Sequence, residues 1–222
     1  MAAVFVGPPM IRPILYGLHQ SVYTCIAKMT LEEKGVEYNF EKIDVFNKSE
    51  LSPEYLAINP FARIPVLLDG DFSIYETMAI TSYIDAAYKG PTLQPNNIKQ
   101  LAKMNQCISM LDSYAYPSMI WPIFVERVSV PRAGGKSDEA AIAKALPIAK
   151  ICIAELSRLL GDHQYLIGSE LTLADIHAMP ILIYFYQTRE GQKLIEQTPN
   201  LHHWLKKVCR RSRVDMISYG CS

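Results

Sequence analysis

The sequence predicts an α/β domain followed by an all-α domain. Three observations carry this reading. Up to about residue 88, short apolar runs and helical patterns follow the order βαβ, hairpin, helix. A Gly- and Pro-containing stretch, 89–95, then interrupts the pattern as a linker would. Beyond it, the periodic segments have helical spacing.

Ile14-Leu15-Tyr16 is the first strand, and Gly17 to Ser21 a polar turn. Val22 to Lys34 reads as a helix, with Ile26 and Met29 on successive turns and Lys28, Glu32 and Lys34 on a polar side. Gly35 supplies its C-terminal stop. Tyr38 to Val45 is a second strand. The polar stretch Asn47 to Glu54 predicts a short irregular helix, and Asn59-Pro60-Phe61 a turn. Val66-Leu67-Leu68 and Phe72 to Tyr75 around Asp69-Gly70-Asp71 predict a hairpin. Glu76 to Tyr88 is helical, with Ile80, Ile84 and Ala87 as its apolar stripe. A parallel pair of strands with an antiparallel extension fits this order.

In the second part, one helix is expected over Ile98–Tyr114 and another near Ala115–Val128, broken at Pro117 and Pro122. Ser137 is expected to cap a long helix with Asp138 and Glu139 in its first turn. Pro147 should kink or divide that helix, and Gly161 end it. Thr172-Leu173-Ala174-Asp175 has capping-box spacing, with Leu171 and Ile176 placed as a hydrophobic staple. The helix they open, through Tyr186, is apolar nearly all round, which places it in a core.

Composition narrows the function classes. Half of the 222 residues are hydrophobic, enough for a substantial core. The 22 basic and 22 acidic side chains cancel, which disfavours nucleic acid and anionic membrane as partners. The apolar start, 2–10, holds two prolines and no basic residue, and 179–186 is too short to span a bilayer. Cys25, Cys107, Cys152, Cys209 and Cys221 are scattered without a CxxC pair, the pattern of reduced thiols with no metal site. The expected location is cytoplasmic.

The candidate site lies in the first part. Ser21 sits where a strand gives way to a helix, a place whose free amides favour an anion. Its hydroxyl can donate to a bound thiolate, or simply cap the helix. Thr24 can support either role, and Tyr16 and Tyr23 carry nearby hydroxyls. Cys25 is a reactive thiol only if exposed. Ile64-Pro65 precedes a strand, where a cis bond would leave the Ile64 backbone free for a ligand. Glu76-Thr77 opens the next helix, where it can hold an ammonium and a carboxylate or act as a cap.

The chain resembles the cytosolic glutathione transferases, most nearly the phi class and its fungal and bacterial relatives. Asn59-Pro60-Phe61-Ala62-Arg63-Ile64-Pro65-Val66-Leu67-Leu68-Asp69-Gly70-Asp71 resembles their cis-proline loop and hairpin. Glu76-Thr77 resembles their acidic-plus-hydroxyl pair. Tyr165-Leu166-Ile167-Gly168 before Leu171-Thr172-Leu173-Ala174-Asp175 resembles their second-domain signature.

The resemblance implies a thioredoxin-like glutathione-binding domain over 1–88, a linker over 89–96 and a helical domain over 97–222 that contributes the electrophile site. It implies a transferase that takes glutathione as co-substrate, joins its thiolate to a small hydrophobic electrophile, and forms a homodimer. Ser21 would stabilise the thiolate. Ile64, before a cis Pro65, would pair with the cysteinyl backbone. Glu76 and Thr77 would hold the γ-glutamyl end, Arg63 a glutathione carboxylate, and Lys48 or His19 the glycyl carboxylate. Tyr114, Tyr116, Met119, Trp121 and Phe124 are candidates for the electrophile wall, and Phe61, Met78 and Met104 for the dimer face. The sequence departs from the family at Glu50-Leu51, where a basic or imidazole group is usual, and at Cys25, where arginine is common. These departures keep two alternatives: a non-catalytic ligand- or protein-binding member, and a glutathione-dependent peroxidase or thiol reductase.

Overall fold

The computed structural model describes residues 12–47 and 51–211. A four-stranded sheet in the order β2-β1-β3-β4 forms the first unit. β1 (Ile14–Gly17) pairs in parallel with β2 (Asn39–Lys42) and antiparallel with β3 (Val66–Asp69), which forms a hairpin with β4 (Phe72–Tyr75). The second strand is shorter than the sequence pattern suggests. β1 ends at Gly17 opposite Lys42, and one further bond, from the Ile43 amide to the Gly17 carbonyl at 3.0 Å, closes the ladder. Past that rung the edge strand has nothing to pair with.

α1 (Val22–Glu33) is buried on two sides because it serves two cores. Ala27 and Leu31, one turn apart, pack with Leu15, Leu67, Ile80 and Ile84 between the sheet and α3 (Thr77–Ala87). Val22, Cys25, Ile26 and Met29 face the other way, into the larger helical core. This is why the helix shows little amphipathic contrast in sequence. Gly17 lets the end of β1 approach it: a Cβ there would lie 2.5 Å from the Thr24 side chain. The short α2 (Pro53–Ile58) precedes the turn into β3.

The helical unit departs from expectation in three places. The helix α4 (Ile98–Met110) does not stop before the prolines. It continues through a π-helical turn (Leu111–Ala115), α5 (Tyr116–Met119), a longer π-helical run (Ile120–Ser129) and α6 (Val130–Arg132). Pro117 and Pro122 have no amide to give an i−4 carbonyl, and the chain widens into π turns rather than breaking. Asp138, and not Ser137, caps the long helix α7 (Glu139–Leu160): its carboxylate accepts from the Ala140 and Ala141 amides at 2.9 and 3.0 Å. The Ser137 hydroxyl donates instead to the Glu126 carbonyl. α7 also runs through Pro147 undivided and ends at Gly161.

α8 (Leu173–Tyr186) is the buried helix the sequence predicts, with every residue but Tyr186 out of solvent. The Thr172–Asp175 capping box forms. Asp175 Oδ2 accepts from the Thr172 amide at 3.0 Å and from its hydroxyl at 2.9 Å, while Oδ1 accepts from the Leu166 amide and from Trp204 Nε1. One buried carboxylate therefore ties the loop, the cap and the last helix together. α9 (Arg189–Glu196) and α10 (Pro199–Arg211) complete the unit. None of the helices among the described residues is long and apolar enough to cross a membrane.

Candidate functional site

The sheet register gathers the candidate residues at one edge. Tyr16 of β1 pairs with Val66 of β3, and Val66 with Tyr75 of β4, so these three stand in one row. The chain beyond that row enters the Gly17–Ser21 turn from β1, arrives through Ile64-Pro65 at β3, and leaves β4 into Glu76-Thr77. β2 runs parallel to β1, so the segment after Lys42 leaves from the same edge. Lys48 lies outside the described residues.

Ser21 is the N-cap of α1, and its Oγ accepts from the Thr24 amide at 3.3 Å. That bond uses a lone pair and leaves the hydroxyl proton for another acceptor. Capping and donation, alternatives in the sequence, are therefore compatible on one oxygen. The turn before Ser21 is held from the far unit: the Tyr184 hydroxyl donates to the Gln20 carbonyl at 2.8 Å.

The Ile64–Pro65 bond is cis. The residue before it is fixed through its carbonyl, since Arg63 O accepts from the Tyr55 hydroxyl at 2.6 Å and from Asn59 Nδ2 at 2.8 Å. The Arg63 side chain is exposed. Glu76 holds φ at +68°, a conformation that costs a non-glycine residue energy and recurs at ligand sites. Its side chain is exposed and does not cap α3, although it stands at the N-cap. Thr77 behind it is buried. The carboxylate is thus turned to solvent at a helix start, where a capping role would have turned it back.

His19 is exposed; its ring lies on Phe40, centroids 4.3 Å apart, with Nδ1 3.5 Å from Lys28 Nζ. Cys25 is buried, its thiol donates to the His19 carbonyl at 3.3 Å, and burial pushes it up to about 12. The exposure that a reactive thiol requires is therefore missing.

Of the five residues expected on the electrophile wall, Met119 and Phe124 belong to the core. Phe124 is fixed edge-on against Tyr184. Tyr114 and Trp121 are exposed, and Tyr116 is half-buried with its ring on Tyr23 at 4.6 Å. Two residues were missed. Phe46, 73 % exposed, leaves the first unit to meet Trp121 edge-on at 6.4 Å. Asp112, in the first π-helical turn, faces Tyr23; burial raises its carboxyl to about 6, and its Oδ1 is buried without a hydrogen-bond partner. An apolar ring alone in a polar loop was the available signal for Phe46. For Asp112 there was none, because an α-helical reading of that segment does not contain the π turn.

Known proteins share this architecture. A model of the glutathione S-transferase N-terminal domain matches residues 13–86, and one of the C-terminal domain matches 107–212. Glutathione S-transferase F10 of Arabidopsis thaliana is 31 % identical over 194 residues, covering 86 % of this chain and 90 % of its own. The crystal structure of glutathione transferase F7 from Populus trichocarpa superposes with a TM-score of 0.82 at 25 % identity, over 95 % of this chain and 99 % of that one. A maize glutathione S-transferase I solved in complex with an atrazine glutathione conjugate gives 0.80 at 25 % identity, over 90 % and 93 %.

Proposed function

The chain belongs to the glutathione S-transferase family and is an enzyme of that family, with glutathione as its co-substrate; from this premise we propose that it conjugates glutathione to hydrophobic electrophiles and that Ser21 stabilises the thiolate. The supporting observation is the row of strand ends that puts Ser21, Ile64 and Glu76-Thr77 on one edge of the sheet.

In this reading glutathione lies along that edge. The Ile64 backbone pairs with its cysteinyl part, Glu76 and Thr77 hold the γ-glutamyl end, Arg63 takes a carboxylate, and Lys48 or His19 meets the glycyl carboxylate. Ser21 donates its free proton to the sulfur. The start of α1 adds the partial positive charge of its amides, which also favours the anion. A thiol of ordinary pKa, about 8.5, then ionises nearer neutrality. The thiolate sulfur attacks the electrophilic carbon, a C–S bond forms, and the leaving group departs with its electron pair. Phe46, Tyr116 and Trp121 supply the apolar wall, and a similar protein, maize glutathione S-transferase I, has been solved in complex with an atrazine glutathione conjugate.

The same reading assigns 1–88 to the glutathione-binding domain, 89–96 to the linker and 97–222 to the electrophile domain. It places the protein in the cytoplasm as a homodimer. Calorimetric titration with glutathione, followed by turnover with aryl halides, isothiocyanates and hydroperoxides, tests it. Saturable binding with conjugation is expected. No binding at millimolar glutathione would contradict it; binding without turnover would favour the non-catalytic member, and hydroperoxide turnover alone the peroxidase.

A further inference from the structure

α8 is buried almost completely, yet it carries two polar side chains that leave its own unit. His177 and Tyr184 are two turns apart and share a face of the helix. Tyr184 reaches the Gln20 carbonyl at 2.8 Å, one residue before Ser21. His177 Nε2 lies 3.1 Å from Thr81 Oγ1 in α3. Thr81 Oγ1 also lies 3.2 Å from the Met78 carbonyl, so it stands between the His177 ring and the backbone of α3. Met78 directly follows Thr77 in the first turn of α3.

Nδ1 of the same ring is buried without a hydrogen-bond partner. Burial holds the ring neutral, lowering it to about 3. A buried imidazole with one unmet nitrogen is a worse core residue than leucine of similar bulk. Core packing therefore does not account for it. What His177 and Tyr184 share is their destination, the two ends of the site described above.

We propose that α8 is a positioning strut for the glutathione site: Tyr184 fixes the turn that presents Ser21, and His177, through Thr81, fixes the first turn of α3 that presents Glu76 and Thr77. The proposal rests on the function given above. One rigid helix then sets the spacing between the thiol end and the γ-glutamyl end, and it does so from the second domain. Neither side chain touches the ligand. Both act through the backbone they hold.

The test separates the two ends. Tyr184→Phe keeps the ring against Phe124 and removes only the hydroxyl. It is expected to raise the pH midpoint of bound-thiolate absorbance by about half a unit to one unit and to lower kcat, with the glutathione Kd changed less than about twofold. His177→Leu and Thr81→Val are expected to weaken glutathione about three- to tenfold, the scale of one hydrogen bond, with the thiolate midpoint unmoved. His177→Gln should recover part of that loss, and the double variant should bind no more weakly than either single one. Variants that lose thermal stability while the folded protein keeps wild-type Kd and thiolate midpoint would overturn the strut. Thr81→Val and Tyr184→Phe are nearly isosteric and carry the test should His177→Leu not fold. The wild type is titrated first: failure to bind glutathione there overturns the proposed function, whereas normal binding with unchanged variants overturns the strut alone.

Discussion

Lys34 and Asp85 form a buried ion pair where the two domains join: Lys34 Nζ lies 3.0 Å from Asp85 Oδ1, and the side chains are 3 % and 5 % exposed. Lys34 also donates to the Asp85 and Pro91 carbonyls at 3.0 and 2.9 Å, so all three ammonium protons are engaged. Asp85 in turn accepts from the Leu93 amide and Gln94 Nε2. The segment between the domains is therefore clamped from both sides. Gly90 permits the close approach, since a Cβ there would lie 2.9 Å from the Lys34 carbonyl.

Replacing one partner should be costly. Lys34→Met leaves the Asp85 carboxylate buried without its counter-charge, and a loss of about 3–5 kcal/mol is expected. Adding Asp85→Asn should restore part of it. Urea unfolding measures both, and an unchanged midpoint and slope in the single variant would show that the pair does not brace the junction.

The capping carboxylate makes a second comparison. Thr172→Ala should destabilise by about 0.5–2 kcal/mol. Asp175→Ala should cost more, because it strands the buried Leu166 amide, the Thr172 amide and Trp204 Nε1, at about 1–3 kcal/mol for each unmet group before relaxation. Turnover of the folded fraction should change little in either. Equal losses in the two variants would contradict the wider role of Asp175.

How much of this was legible depended on whether the information was local. The order of strands, the hairpin at Gly70-Asp71, the stop at Gly35 and the extent of α8 follow from spacing and turn chemistry within a few residues. The Thr172 box was visible for the same reason, but its link to Trp204 spans 29 residues and was not. Ser137 and Asp138 are both good capping residues, so local spacing does not separate them, and the Glu126 carbonyl that claims Ser137 lies elsewhere in the chain. A missing amide ends an α-ladder, so the prolines read locally as breaks; that a π turn absorbs them depends on packing. At the candidate site, spacing and turn chemistry point to Ser21, Ile64-Pro65 and Glu76-Thr77, and the strand register brings these distant segments to one edge of the sheet. Phe46, Asp112 and the α8 contacts are tertiary.

Stability should fall with acid through His177. Its folded pKa is lowered to about 3 from an ordinary 6.5, so the unfolded chain binds the proton first. This contribution is full above about pH 6.5 and is lost as pH falls toward 3, at up to about 1.4 kcal/mol per pH unit. Thermal midpoints measured from pH 7 to 4 should fall more steeply in the wild type than in His177→Leu. Parallel curves would contradict the neutral assignment.

Fewer residues are free for a dimer face than the sequence suggests. Met104 is fully buried within the chain and Met78 packs on its core, which leaves Phe61, 64 % exposed, of the three expected residues. A homodimer should place the same patch on both copies. Light scattering over a dilution series should give the dimer mass, and Phe61→Ser should shift it toward the monomer at micromolar concentration. Monomer mass for the wild type throughout would reject the assembly.

The most direct measurement is the ultraviolet titration of bound glutathione thiolate in Ser21→Ala. The Ser21 hydroxyl caps α1 through a lone pair and keeps a proton that the proposed role gives to the sulfur, so under that proposal the variant should ionise the thiol at higher pH. Conjugation should fall by roughly 10²–10³, the scale of one lost donor. Cys25→Ser, at a thiol buried behind the His19 carbonyl, should leave conjugation largely intact. A thiolate midpoint in Ser21→Ala that coincides with the wild type would contradict the account, even if turnover fell.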